Sequence, residues 1–122
     1  MSLERHQAED LLYKEARLID EGNLDDWLTL FTQDSHYWIP AGRYDIDPMR
    51  EVSIIYDDRQ RMEERVWRIQ SGIAWAQEPL SRTRHVVSNV EVLNSTDDEA
   101  TVSSYLILFE MRRGAQGAFA GR

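Results

Sequence analysis

The stretch EPLSRTRHVVSNVEV, residues 78–92, decides the fold. It begins with a glutamate and a proline, places three ionisable side chains within residues 82–85, and continues as a run rich in valine. Such a run is typical of a β-strand, in which successive side chains point to opposite faces. The even-numbered residues of one predicted face are Arg84, Val86, Ser88, Val90 and Val92. The odd-numbered residues of the other are Thr83, His85, Val87, Asn89, Glu91 and Leu93.

A second long strand is predicted over residues 100–112, joined to the first by a turn at Asn94–Asp98. Both faces of this second strand are apolar. One predicted face carries Tyr105, Ile107, Phe109 and Met111, and the other carries Val102, Leu106 and Leu108. An antiparallel strand that is apolar on both faces is buried on both. Because the helices can cover only one face, we expect a neighbouring subunit to cover the other.

The residues before these strands predict two helices. Apolar side chains recur at helical spacing between Ala8 and Ile19, with Ser2 as a candidate cap and Gly22 as a candidate stop. Asn23 then begins a short second helix, which carries two aspartates in its first turn, where carboxylates complement the helix dipole.

Two short strands and a third helix follow. An aromatic strand over residues 37–39 ends at Pro40, and a second strand covers residues 52–56. Asp57 and Gln60 have the spacing of a capping box for a helix through Gln70, with Gly72 as its stop. This capping role also explains the acidic pair at residues 57–58 more simply than a metal site does. Helices first, then strands with one inserted helix, predict an α+β fold with the helices on one face of an antiparallel sheet.

Composition limits the possible functions. A chain of 122 residues is predicted to form one domain, residues 1–122. The net charge of -8 argues against a nucleic-acid partner. The absence of cysteine excludes disulfides and cysteine-ligated metal centres and fits a reducing compartment. No apolar run approaches the ~20 residues of a membrane span, so we expect no membrane partner and a cytoplasmic location.

Together with residues 53–59 and 62–69, SIIYDDR and MEERVWRI, the opening stretch resembles the small (β) subunit of Rieske-type aromatic-ring-hydroxylating dioxygenases. The resemblance runs from about Ala8 to Gly114. It implies a cone of the NTF2-like (cystatin-like) type, with helices packed on one face of a curved antiparallel sheet. It also implies that the domain is C-terminally truncated and lacks its last strands, because the sequence ends at residues 119–122 after a turn predicted at Gly114–Gly117.

The same resemblance implies a structural, non-catalytic subunit of an oxidoreductase of aromatic catabolism. A homotrimer of β subunits would hold three large α subunits in an α3β3 assembly. The α subunit would carry the Rieske 2Fe-2S cluster and the mononuclear iron, and would perform the cis-dihydroxylation. No cofactor or metal is expected in this chain. The aromatic substrate cannot be read from it, because the substrate pocket would lie in the α subunit.

An alternative is a stand-alone small enzyme of this fold, of the isomerase, dehydratase or cyclase type. Its acid and base would come from Asp34, His36, Tyr37 and His85, since paired ionisable groups in a dry pocket can shift their pKa values. In the simpler interpretation Asp34 belongs to a helix-terminating turn and the histidines make structural hydrogen bonds. A ligand-binding or scaffold domain is a third possibility.

Arginine usage predicts where a partner would bind. The 14 basic residues comprise thirteen arginines and a single lysine, and arginine suits interfacial ion pairs better than lysine does. The predicted subunit-interface residues are Arg82, Arg84, His85, Tyr105, Ile107 and Phe109. The arginines of the third helix, Arg59, Arg61, Arg65 and Arg68, fit either a docking surface or a solvated face.

Overall fold

The computed structural model describes residues 2–40, 53–71, 82–112 and 115–122. The elements in order are α1 (Arg5–Asp20), α2 (Leu24–Leu28), β1 (His36–Pro40), β2 (Ser53–Asp58), α3 (Arg59–Ser71), β3 (Arg82–Ser95), β4 (Ala100–Arg112) and β5 (Ala115–Gly121). The predicted loop after Pro40 and the predicted helix stop at Gly72 lie outside the described residues. The chain divides into two compact units, Met1–Leu24 with Gln77–Arg122, and Asp25–Ala76. The expectation of a single domain stays a prediction.

The first unit is built on an antiparallel sheet with strand order β3-β4-β5, and α1 packs against β3. The bounds predicted for β4 are those observed. The first long strand was predicted from Thr83 to Leu93, and β3 extends one residue earlier and two residues later. The position predicted for the turn after β4 was wrong. Instead of a turn at Gly114–Gly117, the seven-residue strand β5 begins at Ala115 and pairs with β4 as far as Gly121 opposite Leu106.

Helix α1 ends as predicted and begins differently. Glu4, not Ser2, is its N-cap residue, and the Glu4 amide donates to the Gln7 side-chain oxygen at 2.9 Å. At the other end Gly22 adopts a φ of 77°, which glycine tolerates without steric cost. The Gly22 and Asn23 amides donate to the carbonyls of Ile19 and Leu18, which is a Schellman motif. Asp20 is therefore the last helical residue.

Strand β3 is interrupted by a bulge that the sequence did not reveal. Asn89 has a φ of 53°, and the two residues 89 and 90 lie opposite a single residue of β4. Before the bulge the exposed side chains are the even-numbered ones, and after it the buried Val90 lies between the exposed Asn89 and Glu91. The predicted alternation is therefore correct through Ser88 and wrong beyond it.

The second unit holds the β1–β2 antiparallel pair and α3, which contacts both strands. Met62 and Val66 of α3 are buried. The rings of Trp27, Phe31 and Tyr37 meet edge to face, with centroids 4.8 to 6.1 Å apart. No helix among the described residues is long and apolar enough to cross a membrane.

The start of α3 corrects the predicted capping box. Asp58, not Asp57, caps the helix, since its Oδ1 accepts the Arg61 amide at 2.9 Å. Asp57 is the last residue but one of β2, is only 5% exposed, and accepts a hydrogen bond from Arg65 Nε at 2.8 Å. Both aspartates thus have structural partners.

Candidate functional site

One face of the β3–β4–β5 sheet exposes large apolar side chains to solvent. We call it the open face. Its apolar residues on β3 and β4 are Val86, Tyr105, Ile107, Phe109 and Met111. The most exposed are Phe109 at 51% and Met111 at 54%, and Val86 lies directly opposite Ile107 in the strand register. Four of the five residues lie on β4, the central strand of this sheet, so most of the patch belongs to a strand that is paired on both sides.

Two arginines stand at one end of the open face, which we call the basic end. Arg82 is opposite Met111 and Arg84 is opposite Phe109. These four side chains line an open depression of about 330 Å³, together with Thr83, Glu110 and Gly117. Arg84 Nη1 donates to the Thr83 carbonyl at 2.8 Å, which orients its guanidinium group. The basic end therefore combines positive charge with an accessible apolar surface.

The opposite end of the same hairpin is acidic. We call the turn between β3 and β4, Thr96–Glu99, the acidic tip. It is closed by a hydrogen bond from the Thr96 amide to the Glu99 carbonyl at 2.7 Å, and Thr96 Oγ1 accepts the Glu99 amide at 3.1 Å. Asp97, Asp98 and Glu99 are exposed, and the neighbouring Leu93 on β3 is 57% exposed. Negative charge and an exposed aliphatic side chain thus occur together here.

Arg122 lies between the two ends. Its Nε is 3.4 Å from Ser103 Oγ, and its guanidinium carbon is 5.9 Å from the centroid of the Tyr105 ring. A cation over the face of an aromatic ring is attracted by the ring quadrupole. Arg122 therefore places a guanidinium group near the middle of the open face.

The face covered by α1 is organised around one carboxylate, Asp20. Its Oδ1 accepts hydrogen bonds from Thr83 Oγ1 at 2.8 Å and from His85 Nδ1 at 2.6 Å, and its Oδ2 accepts the His85 amide at 2.9 Å. The side chains are only 12% exposed for Asp20 and 14% for His85. Burial alone would raise the pKa of Asp20, but these hydrogen bonds and the charge of His85 lower it below its ordinary value.

Sequence reasoning missed Asp20, although a local signal was present. A carboxylate in the last turn of a helix opposes the helix dipole, so Asp20 needs compensating donors. Those donors come from a strand 63 and 65 residues further along the chain. His85, predicted as an interface or acid/base residue, lies on this covered face. Its Nδ1 donates to the carboxylate, which fixes the ring orientation.

The other proposed acid/base residues belong to the second unit. Asp34 is exposed and accepts a hydrogen bond from Thr32 Oγ1 at 2.5 Å. That bond and a hydrogen bond from its own amide lower the pKa of Asp34, as does the charge of His36, against the opposing effect of burial. His36 is exposed and stacks on Tyr56 at 5.5 Å, and Tyr37 belongs to the aromatic cluster. Each residue thus has a structural contact, and both the acid/base and the structural interpretation of this set stay predictions.

The arginines of α3 divide into two groups. Arg59 donates from Nη1 to the Phe31 carbonyl at 2.5 Å, and Arg65 pairs with Asp57. Arg61 and Arg68 are exposed. Only half of this set is therefore available to a partner. Among the described residues no group of three or more histidine, aspartate or glutamate side chains is arranged to hold a metal ion.

Comparison with known proteins finds a matching family model and relatives of similar sequence. Residues 14–122 match the family model described as ring hydroxylating beta subunit. The small oxygenase component of the p-cumate 2,3-dioxygenase system of Pseudomonas putida is 40% identical over 96% of this chain and 66% of its own length. The anthranilate 1,2-dioxygenase small subunit of Acinetobacter baylyi is 42% identical over 100% of this chain and 78% of its length. The chain therefore spans just under two thirds of the first relative and more of the second.

A solved structure agrees with these relatives. The beta subunit of the benzoate 1,2-dioxygenase from Burkholderia mallei superposes with a TM-score of 0.81 at 30% identity, covering 99% of this chain and 77% of that one. The similarity thus extends from the sequence to the arrangement of the backbone.

Proposed function

Because the chain belongs to the family of ring hydroxylating beta subunits, we propose that it is the structural, non-catalytic β subunit of an aromatic-ring-hydroxylating dioxygenase. Its fold class is the α+β, NTF2-like class predicted from the sequence. Within the oxidoreductase it would hold and position the catalytic subunits. Its own side chains would perform no step of the reaction.

The observation that carries this proposal is the open face. Exposed apolar side chains that are adjacent in register on two paired strands mark a surface made for a protein partner, because soluble monomers rarely expose a large contiguous apolar patch. Arginine beside aromatic and methionine side chains is also the composition of interface cores. Of the predicted interface residues, Arg82, Arg84, Tyr105, Ile107 and Phe109 have exposed side chains on this face, and His85 lies on the other.

The proposal includes the composition of the assembly. Three copies of this chain would support three α subunits as α3β3, and the Rieske cluster and mononuclear iron would be held by the α subunit. A Rieske cluster needs two cysteines and two histidines, and this sequence contains no cysteine. Dihydroxylation of an aromatic ring in catabolism would then be the activity of the complex. A cytoplasmic location is consistent with the lack of cysteine.

Reconstitution tests this proposal. The chain is purified alone and after co-expression with its cognate Rieske-type large subunit, and iron content and cis-dihydrodiol formation are measured for both. We expect background iron and no product from the chain alone, and both iron and product from the co-purified complex. Stoichiometric iron in the lone chain, lost in a His36→Ala/His85→Ala variant, would contradict the structural role.

The Asp20–His85 contact favours one second candidate, a small enzyme of the isomerase or dehydratase type. A histidine oriented by a carboxylate at 2.6 Å has the arrangement of a general base. Turnover of a carbonyl substrate by the lone chain, abolished in His85→Ala and retained in Asp34→Asn, would support this candidate. Turnover lost in Asp34→Asn would assign the chemistry to the second unit.

A further inference from the structure

The first four residues of β3 alternate between the two faces of the sheet. Arg82 and Arg84 are exposed on the open face. Thr83 and His85 are partly buried on the face that α1 covers. The side chains of this covered pair hydrogen-bond to the same carboxylate, that of Asp20 at the end of α1. Asp20 therefore holds the residue between the two arginines and the residue that follows Arg84.

Asp20 restrains the strand through its backbone as well as through its side chains. The His85 amide donates to Asp20 Oδ2 at 2.9 Å, in addition to the bonds that Oδ1 accepts from the Thr83 hydroxyl and the His85 ring. Among the described strands of its sheet β3 lies at an edge, so pairing with β4 restrains it from one side only. Hydrogen bonds to an ionised acceptor are stronger than neutral ones. The carboxylate thus adds a second restraint to this end of β3.

The Arg84 guanidinium group depends on the same residues for its orientation. Its Nη1 donates to the Thr83 carbonyl at 2.8 Å, and the Thr83 hydroxyl is bound by Asp20. The oriented group lines the depression that also contains Phe109 and Met111. A shift of the Thr83 backbone would move the carbonyl that orients the arginine. Asp20 on one face is therefore connected to Arg84 on the other through a single intervening residue.

We propose that Asp20 is a positioning residue for the basic end, and that it keeps the Arg84 guanidinium oriented for a carboxylate of a partner subunit. Asp20 lies on the opposite face and acts only through the strand. A guanidinium that is oriented in advance loses less conformational freedom on binding, so the contact with the partner is stronger. That a partner subunit binds the open face rests on the proposed function; the orientation of Arg84 by Asp20 does not.

The far end of β3 offers a matched control. There the Leu3 amide donates to Ser95 Oγ at 2.7 Å, so the segment that precedes α1 is also tied to β3. Ser95 lies opposite Ala100, at the other end of the hairpin from Arg84. Ser95→Ala therefore removes a side-chain contact between the N-terminal region and β3 without changing the residues beside the arginines.

Nuclear magnetic resonance of the full chain tests the positioning without a partner. The Nε–H signal of Arg84 is identified by its loss in Arg84→Ala. We expect Asp20→Asn to shift this signal and to speed its exchange with water, whereas Ser95→Ala leaves both unchanged. An Arg84 signal that Asp20→Asn changes no more than Ser95→Ala does would overturn the inference.

Thermal unfolding shows whether each variant is folded under the conditions of these measurements. Asp20→Asn is chosen because it keeps the shape of the side chain and one acceptor oxygen. If it does not fold, Thr83→Val replaces it, since this variant removes one of the three hydrogen bonds to Asp20 and keeps the shape of the threonine. Thr83→Val should change the Arg84 signal in the same direction, and an unchanged signal would count against the inference equally.

A double-mutant cycle tests the consequence for binding. The chain is co-expressed with its cognate Rieske-type large subunit, and the concentration at which the complex is half dissociated is measured by sedimentation velocity. We expect Asp20→Asn and Arg84→Ala each to raise that concentration about tenfold, and the double variant to raise it little further, since both act through one guanidinium. Ser95→Ala should leave it unchanged. Additive effects of Asp20→Asn and Arg84→Ala would overturn the inference, because a general loss of stability does not depend on Arg84.

Failure of this inference can be told apart from failure of the proposed function. If the unchanged chain forms no complex with the large subunit, the proposed function is wrong, and the Arg84 signal alone decides whether Asp20 positions that side chain. If the complex forms and Arg84→Ala leaves its dissociation unchanged, the inference is overturned and the proposed function stands.

Discussion

The two faces of the β3–β4–β5 sheet differ in which side chains they bury and which they leave exposed. The covered face encloses a carboxylate, a hydroxyl and an imidazole, each satisfied by the others through Asp20. The open face leaves Phe109, Met111 and their apolar neighbours in solvent. Buried polar groups need hydrogen-bond partners within the chain, whereas exposed apolar groups can be buried later against another protein. Substitutions on the covered face should therefore change the free energy of unfolding, and substitutions on the open face should change the proposed association.

Removal of the Asp20 carboxylate should have the largest effect on folding. Asp20→Ala leaves the Thr83 hydroxyl, the His85 amide and the His85 ring without their common acceptor. We expect a loss of about 2–3 kcal/mol in the free energy of unfolding, since buried donors are left unsatisfied. Urea denaturation of the isolated chain measures it. Asp20→Asn, which keeps the shape of the side chain and one acceptor oxygen, should lose less, and equal losses for the two variants would show that the charge and the second carboxylate oxygen account for the whole effect.

Two adjacent residues compare the faces directly. Leu108 is partly buried on the covered face, and Phe109 is 51% exposed on the open face. Leu108→Ala should lower the free energy of unfolding by about 2 kcal/mol, while Phe109→Ala should change it by no more than roughly 1 kcal/mol. The order should reverse for association, where we expect Phe109→Ala to have the larger effect in sedimentation equilibrium. A Phe109→Ala variant that unfolds more easily than Leu108→Ala would make the open face part of the core.

The bulge at Asn89 determines which residues belong to which face after Ser88. A non-glycine residue with a φ of 53° is strained, though asparagine tolerates this conformation better than most residues. Asn89→Ala should cost about 1 kcal/mol, and Asn89→Gly should be neutral or slightly stabilising. Thermal unfolding of the two variants tests this. An alanine variant as stable as the glycine variant would show that the backbone at this position is not restrained.

The smallest expected effect is a difference in acid unfolding between Asp20→Asn and the unchanged chain. Because the pKa of Asp20 is lower in the folded chain than its ordinary value of 3.8, its contribution to stability is complete above that pH. The contribution is lost as the pH falls through the folded pKa, when the carboxylate is protonated. The free energy of unfolding of Asp20→Asn should therefore fall less steeply below about pH 4 than that of the unchanged chain. Asp34 also has a lowered pKa, and it is present in both chains, so the difference isolates Asp20.

Local sequence signals predicted the elements well and their contacts poorly. The valine-rich run, the polar turn and the apolar run after it are all local, and they placed β3 and β4 to within two residues. The bulge depends on the φ of a single asparagine, and no pattern in the flanking residues required it. The Asp20–His85 contact joins residues 65 positions apart, so it was not predictable without the fold. The observed N-cap residues of α1 and α3 lie one or two positions from the predicted ones, because several polar residues near the start of each helix could serve as the cap.

For the candidate site, the sequence predicted a set of interface residues but not the face of the sheet on which each one lies. In the sequence both faces of β4 are apolar. The uncovered face could therefore have been the one with Tyr105, Ile107 and Phe109 or the one with Leu106 and Leu108. The packing of α1 against β3 decides between them, and it leaves the aromatic set exposed. His85 was grouped with Arg82 and Arg84 by proximity in sequence, but adjacent strand residues point to opposite faces.

The interrupted pairing of β3 also bears on the solubility of the chain before it meets a partner. Among the described strands of its sheet β3 is at an edge, and an edge strand offers unpaired amides and carbonyls to any other chain. The register shifts twice along β3, between Ser88 and Glu91 and between Val92 and Asn94. Each shift bends the strand and breaks the regular spacing that an added strand would need. The irregular register therefore disfavours the addition of a strand from another chain along β3.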